Sequence, residues 1–195
     1  MDVSKRWTRG AAAISLLMVS VAAPVSALGE DGPKVDLKTF PVPGSDTPKI
    51  VMSATLDVPP KKVWAIINDC SRYKERMPRI AAAKLLKKEG NTFTCEVTVE
   101  MPFPLSNLTA VTEAVHEESD KGMARRWKLV RGDYKSNTGS WEIKPADPEG
   151  KTSFVVYTVH AEPNTVVPAA IREAAQKSAL PDLMKRVRNE AAKLP

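Results

Sequence analysis

Histidine and cysteine are nearly absent from this sequence, which has two of each. No His/Cys cluster has the spacing of a zinc site. His116 and His160 have no acidic partner or nucleophilic serine at a revealing distance, so surface or structural roles are expected of both. A glycine-rich phosphate loop and a G-x-S-x-G turn are also missing. No catalytic residue, metal ligand or cofactor is therefore assigned. No run of five like charges occurs, which argues against a nucleic-acid tail. Beyond the N-terminal region no segment reaches the ~18 apolar residues of a membrane span. The stretches between the later strands are too short for crossover helices, which excludes a parallel sheet.

The first residues do carry a pattern. "MDVSKRWTRG" is basic, "AAAISLLMVSVAA" is an apolar run, and "PVSA" places Val25 and Ala27 at the −3 and −1 positions of a cleavage site. These are the three regions of a secretory signal peptide. Residues 1–27 are expected to be removed, and export to a periplasm or the cell exterior is expected. Removal takes the charge from +6 (29 basic, 23 acidic) to 26 minus 22, or +4. A mildly basic, solvated surface follows, with contact to anionic lipid as the sharper alternative. Cys70 and Cys95 can pair in an oxidising compartment. Their spacing does not decide it, and two buried free thiols are the simpler expectation.

Residues 28–48 are rich in Pro, Gly and Asp and read as a flexible leader. A domain over 49–195 follows. "IVMSATLDVP" alternates like a strand. Pro59 and Pro60 then open a helix with an apolar stripe at Val63, Trp64, Ile66 and Ile67. A second short helix ends before Pro78. From Ile80 to Glu162 the period becomes two, giving a hairpin and four further strands. Seven strands in all form an antiparallel sheet, followed by one long helix from Val167 to Lys193. The fold class is α+β, a curved seven-stranded antiparallel sheet wrapped around a C-terminal helix, with two short helices after the first strand.

That last helix changes character along its length. Val167, Ala170, Ile171, Ala174 and Ser178 make one face of mostly small side chains. Leu180, Leu183, Met184, Val187, Ala191 and Leu194 make a bulkier stripe. Pro181 lies where the stripe slips phase, and a kink or break is expected there. The bulky half can close one end of the sheet. The small half leaves space for large strand side chains or for a ligand.

Three segments, "MPFPLSNLTA", "RGDYKSNTGSWEIKP" and "EPNTVVPAAIREAAQKSALPDLMKRVRNEA", resemble the START-type lipid-binding domains of the SRPBCC, or helix-grip, superfamily. The element order agrees over Ile50–Leu194. The resemblance implies one hydrophobic small molecule or lipid held between sheet and C-terminal helix, with transient membrane contact during exchange, no nucleic acid, and a monomer. A polyketide cyclase/dehydrase-like or aromatase-like enzyme on the same fold is the alternative, and a non-enzymatic role is preferred.

The candidate ligand-binding residues are Met101, Phe103 and Leu105 of a proline-stiffened lid; Arg125, Trp127, Leu129, Trp141, Ile143 and Tyr157 on strand faces; and Val167, Ala170, Ile171 and Ala174 of the helix. Alternation fixes which strand residues share a face, not which face is inside. Arg125 could meet an acidic or phosphate headgroup. A solvated face, or pairing with Glu113 or Glu142, is the plainer expectation for it.

Overall fold

A computed structural model describes residues 32–195; the expected signal peptide lies outside them. Chain order is β1 (Val35–Val42), β2 (Ser45–Leu56), α1 (Pro60–Ile67), a 3-10 turn (Cys70–Arg72), α2 (Tyr73–Arg76), β3 (Ile80–Glu89) and β4 (Thr92–Val99). Then come β5 (Leu108–Ser119), β6 (Gly122–Gly132), β7 (Tyr134–Pro145), β8 (Ser153–Pro163), α3 (Ala169–Ala174), a π turn (Ala175–Ala179) and α4 (Leu180–Ala192). The class is α+β, as expected. The antiparallel sheet has eight strands in the order β1-β2-β8-β7-β6-β5-β4-β3, not seven.

The additional strand corrects the flexible leader. Val35 to Phe40 pair with Ala54 to Lys49, and Pro43-Gly44 makes the turn, with Gly44 at φ 77°. A left-handed backbone there suits glycine. β1 is an edge strand, where a proline such as Pro41 removes no needed ladder bond. The prolines that suggested disorder are compatible with this position.

The core lies on one face of the sheet. Met52, Leu56, Ile143 and Val155 from strands meet Val63, Ile66 and Ile67 of α1, and Met184, Val187 and Ala191 of α4. Each is almost wholly buried, so α4 seals this end as its stripe predicts. Polar contacts fix it further. Arg188 grips Asp57 with two bonds of 2.6 and 2.5 Å, Arg186 donates to the Glu75 carbonyl at 2.8 Å, and Lys62 donates to the Leu194 carbonyl at 2.8 Å.

The helix is not interrupted at Pro181 but widened before it. Proline has no N–H and its ring crowds the preceding turn. The strain is taken up by five-residue spacing: Leu180 N–H donates to the Ala175 carbonyl.

Cys70 and Cys95 form a disulfide, against the expectation of free thiols. The 3-10 turn places Cys70 opposite β4 with Cα atoms 6.4 Å apart, within ordinary disulfide reach. The bond ties the turn after α1 to the sheet.

Candidate functional site

One row of paired residues crosses the inner face of the sheet. Met52 pairs with Tyr157, Tyr157 with Trp141, Trp141 with Arg125, and Arg125 with His116. Antiparallel register puts all five side chains on one side. Trp127 lies two residues along β6 from Arg125, opposite Gly139. A Cβ at Gly139 would stand 2.3 Å from the Trp127 ring, so glycine lets the indole lie flat across β7. Asn137 accepts the indole N–H at 2.9 Å. Tyr157 packs against Trp141 at 4.4 Å and Trp127 at 5.9 Å between ring centroids.

Above this aromatic floor is a cavity of about 950 Å³. Its walls are Val97 and Val99 of β4, Leu108, Ala110 and Thr112 of β5, and Tyr73 and Met77 beside the disulfide. Its roof is Val166, Val167, Ala170, Ile171, Ala174 and Ala175, continuing to Leu180 and Leu183. The roof explains the alanines. α3 has no buried residue, whereas α4 buries three. The small face spans the cavity instead of settling on the sheet.

Most sequence candidates meet here. Met101, Arg125, Trp127, Trp141, Tyr157, Val167, Ala170, Ile171 and Ala174 all line the cavity. Four do not. Ile143 is two residues beyond Trp141 on β7, where α1 and α4 fill the space, and it is core. Leu129 packs with Leu108, Ala110 and Tyr134 after the β5–β6 register shifts at Val111/Thr112. Phe103 points out from the loop tip, 96% exposed, and Leu105 is half-buried outside the lining. This loop therefore contributes Met101 and Pro102 to the cavity lining, not its aromatic residue.

Tyr73, Val97, Val99, Thr112 and Tyr134 also line the cavity and were not among the sequence candidates. Val97 and Val99 carry the alternation of β4, and would have been found had the inner face been known.

Burial raises the hydroxyl pKa of Tyr73 and Tyr157, and pushes Tyr134 up to about 12. The Tyr73 hydroxyl donates to the Ile67 carbonyl at 2.5 Å. Arg125 corrects its expectation. It is 4% exposed and pairs with neither Glu113 nor Glu142; those carboxylates hold Lys128 and Arg126. Arg125 instead donates to His116 Nε2 at 2.6 Å. Arginine only donates, so Nε2 holds a lone pair. Burial, then Arg125, then Lys88 lower the His116 pKa to about 4. Phe93 stacks on its ring at 3.9 Å. His116 is thus a structural histidine.

An antiparallel sheet roofed by a C-terminal helix over an apolar cavity defines a helix-grip domain. The chain belongs to the Polyketide cyclase / dehydrase and lipid transport family, which matches residues 56–188. No curated protein sequence matches the chain. Among solved structures it is similar to a STAR-related lipid transfer protein from Xanthomonas axonopodis, with a TM-score of 0.67 at 20% identity, covering 84% of this chain and 100% of that one. Human STARD10 superposes with a TM-score of 0.71 at 16% identity, over 87% of this chain and 73% of that chain. The Zhui aromatase/cyclase from Streptomyces sp. R1128 gives 0.61 at 14%, over 74% and 93%. These similarities show the shared fold.

Proposed function

We propose that the protein is an exported, monomeric carrier that holds one lipid or similar hydrophobic molecule in the cavity and passes it between membranes. The observation that carries this is the unfilled space between the Trp127–Trp141–Tyr157 floor and a helical segment with no buried residue. About 950 Å³ is at the upper end of small-molecule sites. Covering some 300 Å² of apolar ligand contributes roughly 7 kcal/mol at ~25 cal/mol per Å², before association costs.

The three-part N-terminal sequence supports export, and a disulfide is at home in an oxidising compartment. Phe103 and Val166, 96% and 87% exposed, support membrane contact: each neighbours cavity-lining residues of the lid or the roof. Ligand entry would part the 101–107 loop from the 167–179 helix.

The polar pair Arg125 and Tyr157 in an apolar cavity favours a second reading, an aromatase- or cyclase-like enzyme. Burial keeps the Tyr157 hydroxyl protonated near neutrality, so in that reading it would act as a donor. Native mass spectrometry on protein purified from its own compartment separates the readings. A co-purifying hydrophobic mass supports the carrier. Protein that emerges empty and extracts nothing from liposomes ends that proposal. Turnover of an aromatic polyketide, lost in Tyr157→Phe, would establish the enzyme.

A further inference from the structure

Arg125 is the buried charge that the carrier reading leaves unexplained. Its guanidinium has five N–H donors. One meets the neutral His116 ring at 2.6 Å, and another lies 3.5 Å from Cys95 Sγ, a weak acceptor. The guanidinium carbon sits 5.8 Å from the Tyr73 ring centroid. Among the described residues no carboxylate lies within ion-pair distance of Arg125. Its neighbour Arg126, facing the other way, has two, Glu117 and Glu142.

A charge removed from water with no counter-ion is costly, and native proteins pair such groups. Arg125 is 4% exposed and lines the cavity. Its remaining donors therefore have one apolar space in which to find an anion. Thr112, the cross-strand partner of Cys95, lines the same wall. Its hydroxyl is a donor on the cavity wall and can serve the same anion.

The acids that line the cavity lie elsewhere. Glu162 is five residues along β8 from Tyr157, about 17 Å at strand rise, and holds Lys135. Glu100 follows β4, five residues beyond Cys95. Asp46 also lines the cavity, as do the cations Arg79, Lys135 and Arg172, so acids and bases occur together away from Arg125, and Lys135 pairs with Glu162.

We infer that the ligand is an acidic amphiphile, bound with its carboxylate or phosphate monoester against Arg125 at the disulfide end and its apolar chain along Trp127 and the alanine roof. This rests on the carrier reading and narrows it to a ligand class. His116 and the disulfide hold the guanidinium in place, so Arg125 acts as the specificity-determining residue.

The test compares three probes of equal chain length, hexadecanoate, hexadecyl phosphate and 1-hexadecanol, by tryptophan fluorescence titration of the whole exported chain at neutral pH. One charge-assisted contact predicts about 10- to 100-fold tighter binding of at least one acid than of the alcohol. The stronger acid tells carboxylate from phosphate. Arg125→Met should bring all three probes to the affinity of the alcohol, and should raise the Tm of the empty protein by removing an unpaired charge. Equal binding of the three probes by the unaltered protein overturns the headgroup inference and leaves the carrier standing. An acid preference that survives Arg125→Met also overturns it, moving the contact to another cation. Failure of all three to bind removes both readings. Should Arg125→Met not fold, the comparison on the unaltered chain still decides.

Discussion

Ala174→Trp converts the alanine roof into a test of the cavity. The residue lies on α3, which buries nothing, and its side chain borders the space above Trp127 and Tyr157. A tryptophan buries about 200 Å² when it finds a cavity. If half of that is contact taken from a ligand, about 100 Å² at ~25 cal/mol per Å² costs ~2.5 kcal/mol, or roughly 70-fold in affinity. The fold should lose little. Replacing alanine within a helix costs about 0.5 kcal/mol, and apolar burial of the new ring offsets that. The expected result is therefore weak binding of hexadecanoate and hexadecanol by a protein whose thermal transition is cooperative and within a few degrees of the parent. Affinity within about twofold of the parent, in a folded variant, would refute the reasoning: the helix would not border the binding site.

The other predictions concern the lid, the disulfide and the buried histidine. Phe103→Asp places a charge at the most exposed apolar side chain of the lid, and should slow lipid transfer between liposomes while leaving Tm unchanged; an unaltered rate removes the membrane contact. Cys70→Ser with Cys95→Ser opens a bridge across a separation of 25 residues, and should lower stability by about 3 kcal/mol in urea unfolding. His116 stays neutral down to about pH 4 in the folded chain, while the unfolded chain takes up its proton near 6.5. The unfolded state then binds more protons between those values, so stability should fall as pH drops from 6.5 toward 4. His116→Gln should flatten that slope, and an unchanged slope would place the proton uptake elsewhere.

The sequence was informative where pattern is local. Alternation located β2 to β8, because a half-buried strand must switch faces at every residue. The alanines before Pro181 indicated the cavity, because volume is a property of side chains. Pairing is not local, and the misses follow from that. β1 was missed because Pro41, Pro43 and Gly44 look like breakers, and only its place at the sheet edge makes them tolerable. Free thiols were expected because nothing in the spacing of Cys70 and Cys95 shows that a 3-10 turn faces β4. Arg125 was a candidate for the cavity, but among Arg126, Lys128 and Arg131 a solvated face or pairing with Glu113 or Glu142 was the plainer expectation. The signal that made it a candidate was its phase, since it shares the face of Trp127. Ile143 has that same phase yet lies outside the cavity, because phase selects a face and not a position along it.

The two halves of the C-terminal helix show how fold and cavity are reconciled in one element. α4 is held from three sides, by the core beneath Met184 and Val187, by Asp57 through Arg188, and by the Glu75 carbonyl through Arg186. α3 is joined to the π turn by one ion pair, Glu173 to Lys177, at exposed positions where such pairs contribute little. Pro181 divides them and the π turn takes up the mismatch. A helix pinned throughout could roof the cavity but would resist admitting a ligand. One loose throughout could not close the sheet. Confining burial to the part after the proline lets the 167–179 segment yield, at low cost, while the core beneath α4 stays packed.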